Sequence, residues 1–345
     1  MNFSVEDWGT EKLVRLSSPR LRVSLLSFGA RTQSIEFLKD ADTWQHLVLG
    51  FESLEEYHQD SSYIGATCGR VANRIGGATF TLDGEQSSLP CNDAGKHCLH
   101  GGDGFHSKSW KLEDVSAIAE STTAVFSLIS PSQEEGFPGE LAVKAMFSII
   151  DIKGESVRLE VCYQAVAVDR PTVCNVVNHN YWNLSTPARG QVPTIFEHNF
   201  SINADFFTPV DDESIPTGEI LSVAGTPFDF RKVKRVLPSE APGGKGFDHN
   251  FVVRGPHTLR PFASVSCPSS AVKMDVFASY PGAQFYTGNF LPATTSGDRT
   301  WGIHSGFCLE PQFFPDSPNK HHFPSTRLEA GEKFEQKVAF HFSVC

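Results

Sequence analysis

An all-β fold is what this 345-residue sequence predicts, in the form of a large antiparallel β-sandwich with very little helix. Three observations carry that reading. Short stretches of period-two alternation, rich in Val, Ile, Thr and Phe, recur from one end of the chain to the other. The composition, with 28 Phe, 28 Gly and 21 Pro, is weighted toward aromatics and turn formers. Helical periodicity is nearly absent.

In chain order the alternating segments are RLRVSLLSF from Arg20, GATFTLDG from Gly77, TAVFSLIS from Thr123 and LAVKAMFSII from Leu141. They continue with SVRLEVCYQAV from Ser156, AVKMDVFASY from Ala271 and QKVAFHFSV from Gln336. DIKGES, residues 151 to 156, reads as a hairpin turn between two of them, and SCPSS, residues 266 to 270, introduces another. The best helical candidate is the acidic ESLEEYHQD at 52 to 60, long enough for one surface turn or a short helix. PSEAPGGKG, residues 238 to 246, is the most loop-like stretch, and strands resume directly after it. With no repeat, low-complexity tract or Gly/Ser linker, residues 1–345 read as one domain of two large packed sheets.

The formal charge of −11 and the lack of a basic run argue against a nucleic-acid partner; the densest cluster, KVKR at 232 to 235, reads as a surface turn. No segment approaches a membrane span, and the N-terminus lacks the pattern of a signal peptide. Eight cysteines without a CxxC pair point to free thiols in a cytoplasmic protein, where the sequons at Asn2 and Asn183 stay unmodified. There is no HExxH, and His321 and His322 are adjacent, so a strand would point them to opposite faces; the expectation is no metal and no cofactor. Walker, GxSxG and GxGxxG patterns are absent.

Polar side chains interrupt the alternation in five places: CGRVANRIGG (68–77), HCLHGGDGFHSKSW (97–110), VNHNYWNL (177–184), GFDHNFVV (246–253) and FCLEPQFFPDSPN (307–319). QFYTGNFL (284–291) is a weaker sixth. Glu310 sits among Leu309, Pro311 and three phenylalanines, where lost solvation raises a carboxyl pKa toward the range of a useful base. His179 lies between amides and two aromatic rings, a combination suited to the hydroxyls and C–H faces of a carbohydrate. Each has an ordinary alternative: an exposed strand-end glutamate, or a core histidine bonded to a carbonyl. The glycines after His100 allow the backbone to turn sharply and approach a ligand. Arg70 and Arg74 would share one face of an extended segment, with a surface ion pair as the default role for either. Asp248 is either a turn residue or a hydroxyl acceptor.

Taken together, GRVANRI, LHGGxxGF, NHxYWNL, FDHNF, YTGNFL and LEPQxFPDSPN resemble the aldose 1-epimerases in order and spacing, from about residue 20 to the C-terminus. That resemblance implies a β-sandwich with a sugar cleft on a concave sheet face and interconversion of the α and β anomers of aldohexoses such as galactose and glucose. It implies that Glu310 is the base on the anomeric hydroxyl and His179 the acid at the ring oxygen. His100 then holds sugar oxygens, and Asn73, Arg74, Asp248 and Gln284 bind hydroxyls. Trp182 stands where many relatives carry Phe, a departure expected to alter stacking on the sugar, with the neighbouring asparagines positioning the acid. The expected partner is a monosaccharide, with no nucleic acid or membrane, and the expected state a monomer or weak dimer. Alternatives are a hexose-phosphate mutarotase, suggested by the two arginines, a non-catalytic sugar sensor, and a glycoside hydrolase, which needs a second carboxylate.

Overall fold

A computed structural model describes residues 1–152, 156–186 and 191–345. Among these, nine strands form the largest sheet, in the order Lys111–Ile118, Ser121–Ser130, Leu141–Ile152, Ser156–Ala167, Lys333–Val344, Val272–Ala278, Arg260–Cys267, Asn199–Ile202 and Lys234–Arg235. Neighbours are antiparallel throughout. The alternation read from the sequence is visible directly: Leu141–Ile152 buries Leu141, Val143, Ala145, Phe147 and Ile149 and turns the residues between them outward. The strands flanking DIKGES pair as a hairpin from Ile152↔Ser156, while its turn residues 153 to 155 lie outside the described residues. The SCPSS hairpin joins Arg260–Cys267 to Val272–Ala278.

Two five-stranded antiparallel sheets complete the sandwich. One is an N-terminal meander from Asn2–Trp8 to Trp44–His46; the other runs Leu221–Ser222, Ala204–Thr208, Asp248–Val253, Gly282–Tyr286, Cys308–Gln312. A continuous apolar cluster joins all three sheets. Phe37 of the meander meets Phe342 of the nine-stranded sheet at 6.1 Å, and Phe200 of the large sheet meets Phe285 of the third at 5.2 Å. KVKR falls at the outer edge of the large sheet, where Lys232, Val233 and Arg235 are exposed.

The helical candidate at 52 to 60 is a single five-residue helix, Leu54–His58. Ser53 caps it by accepting the Glu56 N–H at 3.4 Å and donates its hydroxyl to the Glu56 carboxylate at 2.7 Å. Within 238–246 the chain forms 3₁₀ turns at Pro238–Glu240 and Pro242–Gly244 before the strand Asp248–Val253. All eight cysteines are unbonded, six of them buried. No described helix is long and apolar enough to cross a membrane.

Candidate active site

The third sheet explains why polar residues interrupt FDHNF, QFYTGNF and LEPQ. Its register sets Asn250 opposite Gln284 and Gln284 opposite Glu310. Because alternate residues share a face, Asp248, Asn250, Gln284, Glu310 and Gln312 all project from one side. Phe251, Phe285 and Leu309 project from the other, into the core. Phe285 stands 5.4 Å from Phe230 and 5.8 Å from Phe247, an interlocked aromatic layer beneath the polar face. Polar side chains are thus mounted on strands whose reverse side is locked by packing.

Hydrogen bonds orient that polar face. Gln312 Nε2 donates to Gln284 Oε1 at 3.1 Å, and Gln284 Nε2 donates to Asp248 Oδ1 at 2.7 Å. Asp248 Oδ2 lies 3.9 Å from Arg74 Nη1, and Arg74 Nε donates to Asp93 Oδ2 at 2.8 Å. Each amide and guanidinium therefore has a fixed direction before any ligand arrives.

The loops from GRVANRI and LHGG close the cleft from the opposite side. Asn73 and His100 both adopt left-handed backbone, at φ 62° and 52°. The Asn73 side-chain oxygen accepts the Arg74 N–H at 2.8 Å, and the His100 N–H donates to the Asn73 carbonyl at 3.0 Å. A Cβ on Gly101 would sit 2.5 Å from the Arg70 nitrogen, and one on Gly104 would sit 2.2 Å from the Gly69 carbonyl oxygen. The glycines allow the two loops to touch. The Asn73 N–H donates to Nδ1 of His100 at 3.3 Å, so the neutral ring carries its proton on Nε2. Burial, with His179 next to it, holds His100 well below the ordinary histidine range.

His179 is held by backbone bonds, its N–H to Ala66 and its carbonyl to Gly65. Its Nε2 is 3.7 Å from Glu310 Oε2, and both side chains are buried. Burial pushes Glu310 well above the usual carboxyl range, with the Asp248 charge adding to it, and brings His179 down to about 4. These two groups face one cleft of about 520 Å³. Asn73, Arg74, His100, Asp248 and Gln284 line the same cleft, so seven of the eight candidate residues converge.

Trp182 does not, and its expected stacking on a sugar is corrected here. Alternation from His179 carries Tyr181 into the cleft and turns Trp182 away, where it is fully buried with its ring 4.6 Å from Phe340 and 5.8 Å from Phe342. Asn178, Asn180 and Asn183, the asparagines beside His179, do not line the cleft themselves. Asn183 donates to the Ser305 carbonyl at 2.8 Å, and Asn178 points to the Gly65 carbonyl at 3.5 Å, so they tie loops together. Arg70 and Arg74 do not share a face, because the left-handed turn at Asn73 breaks the extended run between them. Arg70 is buried and donates to four carbonyls, those of Ser130, Pro131, Pro138 and Gly139. A phosphate pocket built from two arginines therefore has only one of them available. His322 Nε2 donates to the Gly218 carbonyl on the surface, 2.6 Å away, and His321 is exposed beside it.

Several cleft residues were absent from the sequence reading. Tyr63, Tyr286, Phe290 and Asp93 line it, beside Tyr181, one of the two rings expected next to His179. Rings form a nearly continuous wall, with Tyr63 to His100 at 4.5 Å, His100 to His179 at 5.2 Å, His179 to Tyr181 at 5.0 Å and Tyr181 to Tyr286 at 6.0 Å. Period-two counting from His179 selects Tyr181 over Trp182 and, from Gln284, would have found Tyr286. Asp93 and Tyr63 sit in loops with no comparable signal.

The aldose 1-epimerase family model matches residues 12–341, with Glu310, His179 and every other convergent residue inside it. This chain belongs to the aldose 1-epimerase family. Galactose mutarotase from Bos taurus is 42% identical over 340 residues, covering 97% of this chain and 95% of the relative. The Homo sapiens galactose mutarotase is 39% identical, again over 97% and 95% of the two chains. Among solved structures, an aldose epimerase homologue from C. elegans superposes with a TM-score of 0.85 at 30% identity, covering 97% of this chain and 99% of its own. The fold of this family member is therefore the galactose mutarotase-like sandwich, with the polar face of its third sheet forming the floor of the cleft.

Proposed function

We propose that this protein is a mutarotase that interconverts the α and β anomers of aldohexoses such as galactose and glucose. The observation that carries the proposal is the 3.7 Å approach of Glu310 Oε2 and His179 Nε2 within one cleft. The anomeric hydroxyl oxygen and the ring oxygen are bonded to the same carbon, so two groups this close reach both at hydrogen-bonding distance. Glu310 takes the proton from the anomeric hydroxyl while His179 delivers one to the ring oxygen. The C1–O5 bond breaks, the open aldehyde turns about C1–C2, and the reverse transfers close the ring on either face.

Proton count supports the pair. In the free cleft, burial favours the uncharged carboxyl and the uncharged imidazole. The working form, carboxylate and imidazolium, holds the same total of protons and differs only in where one resides. Sugar hydroxyls entering the cleft supply the solvation that the ion pair needs. His100, with its proton on Nε2, donates to a sugar oxygen, and Asp248 accepts from a hydroxyl; Gln284, Asn73 and Arg74 complete the polar contacts. The 42% identity to a galactose mutarotase supports galactose as a substrate.

Activity is tested by the decay of optical rotation in freshly dissolved α-galactose, which the protein should accelerate catalytically over solvent. Absence of acceleration with demonstrable galactose binding would favour the sugar-sensor reading. We further propose a single cooperative unit that works in the cytoplasm as a monomer or weak dimer, supported by the unbonded cysteines. Size-exclusion chromatography over a concentration series, with one calorimetric unfolding transition, checks these points.

Asp248→Asn should lower kcat/KM by about 10- to 100-fold, the loss associated with a hydrogen bond to a charged group. It also removes a negative charge that helps keep Glu310 protonated. A carboxyl relieved of a like charge ionises more readily, so the acidic limb of the kcat/KM profile should move to lower pH. A limb at unchanged or higher pH would disprove that coupling. Trp182→Phe should leave kcat and KM for galactose within about twofold while lowering stability by about 1–3 kcal/mol through a cavity beside Phe340. A changed galactose-to-glucose preference in that variant would return Trp182 to the sugar.

A further inference from the structure

The acid and base have a third neighbour for which the proposed reaction has no use. Cys308 lies two residues before Glu310 on the same face of its strand and is fully buried. Its Sγ is 3.6 Å from Nδ1 of His179, on the far side of the ring from the nitrogen that faces Glu310. One ligand atom from each of His179, Cys308 and Glu310 lies within 4.8 Å of the other two, and all three residues are buried. Among the described residues, Cys91 and Cys345 are exposed single thiols, and His321 and His322 are neighbours on the surface.

We propose that His179, Cys308 and Glu310 form an inhibitory site for a thiophilic divalent cation of the zinc class, whose binding excludes the sugar. The ligand set decides the class. One sulfur, one imidazole nitrogen and one carboxylate oxygen suit a borderline-soft ion and are a poor match for Mg²⁺ or Ca²⁺, which take oxygen ligands. Zinc bonds of about 2.0–2.3 Å in tetrahedral geometry separate neighbouring ligand atoms by about 3.3–3.8 Å. The thiol and imidazole already stand at that spacing. Side-chain rotation of about 1 Å brings the carboxylate from the outer limit of 4.8 Å into the same range.

Charge favours the complex as well. A thiolate and a carboxylate balance a 2+ ion, and a neutral assembly suits a buried site far better than an isolated charge. The coordinated thiol and carboxyl release their protons to solvent on binding. A bound ion occupies the Glu310 carboxylate that anomer exchange requires and ties down the His179 ring through Nδ1, so cation and sugar compete. The inhibitory half of this proposal rests on the mutarotase reading; the binding half stands on the geometry alone.

The test uses the full chain with Cys91→Ser and Cys345→Ser to remove the exposed thiols, dialysed against chelator. Calorimetry with Zn²⁺ should show one equivalent bound, and Co²⁺ should give a thiolate-to-cobalt charge-transfer band with the visible bands of a tetrahedral site. Cys308→Ala should weaken Zn²⁺ binding by at least about 100-fold, beyond what loss of a merely supporting group causes. Cys308→Ser, closer in volume, should abolish the charge-transfer band if the alanine variant does not fold. In the polarimetric assay Zn²⁺ should raise KM for galactose without lowering kcat, and EDTA should reverse it. Undiminished Zn²⁺ affinity in the Cys308 variants, a cobalt complex without the thiolate band, or inhibition that galactose cannot relieve would each overturn the proposal. One equivalent of Zn²⁺ bound through Cys308 to a protein that fails to accelerate anomer exchange would leave the metal site standing and remove the mutarotase reading.

Discussion

Glu310→Gln is expected to reduce kcat for galactose mutarotation by about 10²–10⁴-fold, the range a positioned proton-transfer group supplies. The substitution keeps the shape of the side chain and its place opposite Gln284, so sugar binding should persist with KM changed far less than kcat. Stability should move in the other direction. A carboxyl whose folded pKa is raised binds its proton more tightly in the folded state, so its stabilising effect fades as pH climbs above the ordinary carboxyl value of 4.5. An amide does not ionise. The variant should therefore melt like the parent below about pH 4.5 and at higher temperature than the parent at neutral pH. Near-normal kcat in a folded Glu310→Gln protein would remove this residue from the reaction, and a lower melting temperature at neutral pH would contradict the electrostatic account. His179→Gln should produce a comparable loss of kcat, and the double variant should lose little more than either single one, because the two proton transfers act on one bond.

Arg70→Met is expected to be the most destabilising single substitution outside the apolar core, by about 3–5 kcal/mol. Removing the guanidinium takes the donor from the carbonyls of Ser130, Pro138 and Gly139 and from the Ser130 and Thr172 hydroxyls, while the Pro131 carbonyl keeps the Glu134 N–H. Each buried acceptor so orphaned carries its own desolvation penalty. Burial already draws the Arg70 pKa down to about 10, a sign of how little solvent reaches it. Activity should fall too, because the backbone of Arg70 abuts Gly101, next to His100, and leads into Asn73 and Arg74. Arg70→Lys should recover only part of the stability, since an ammonium lacks the planar fork that reaches carbonyls in several directions. Differential scanning calorimetry of the three proteins checks this, and equal melting temperatures for parent and Arg70→Met would refute it.

The contrast between the two arginines of GRVANRI shows where sequence reasoning ends. Spacing placed them on one face of an extended segment, yet the left-handed turn at Asn73 sends Arg70 into the body and Arg74 into the cleft. The same limit applies to Trp182. Its place in a polar motif suggested a sugar platform, whereas two-residue periodicity from His179 puts it against Phe340, on the side opposite Tyr181. The motif was legible, but which of its residues faced the ligand depended on the strand's orientation.

By itself the chain's alternating pattern determined an all-β antiparallel architecture, because period-two apolar residues have only one economical way to leave water. Polar breaks in that pattern also marked the strands and loops that carry Glu310, His179, His100, Asn73, Arg74, Asp248 and Gln284. Tertiary structure alone decided that residues as distant as 73 and 310 line one cleft. It also decided that Cys308 stands behind the imidazole and that Asp93 holds Arg74. Those juxtapositions depend on sheet register and on the packing of loops across the sandwich, long-range geometry that local sequence spacing does not encode.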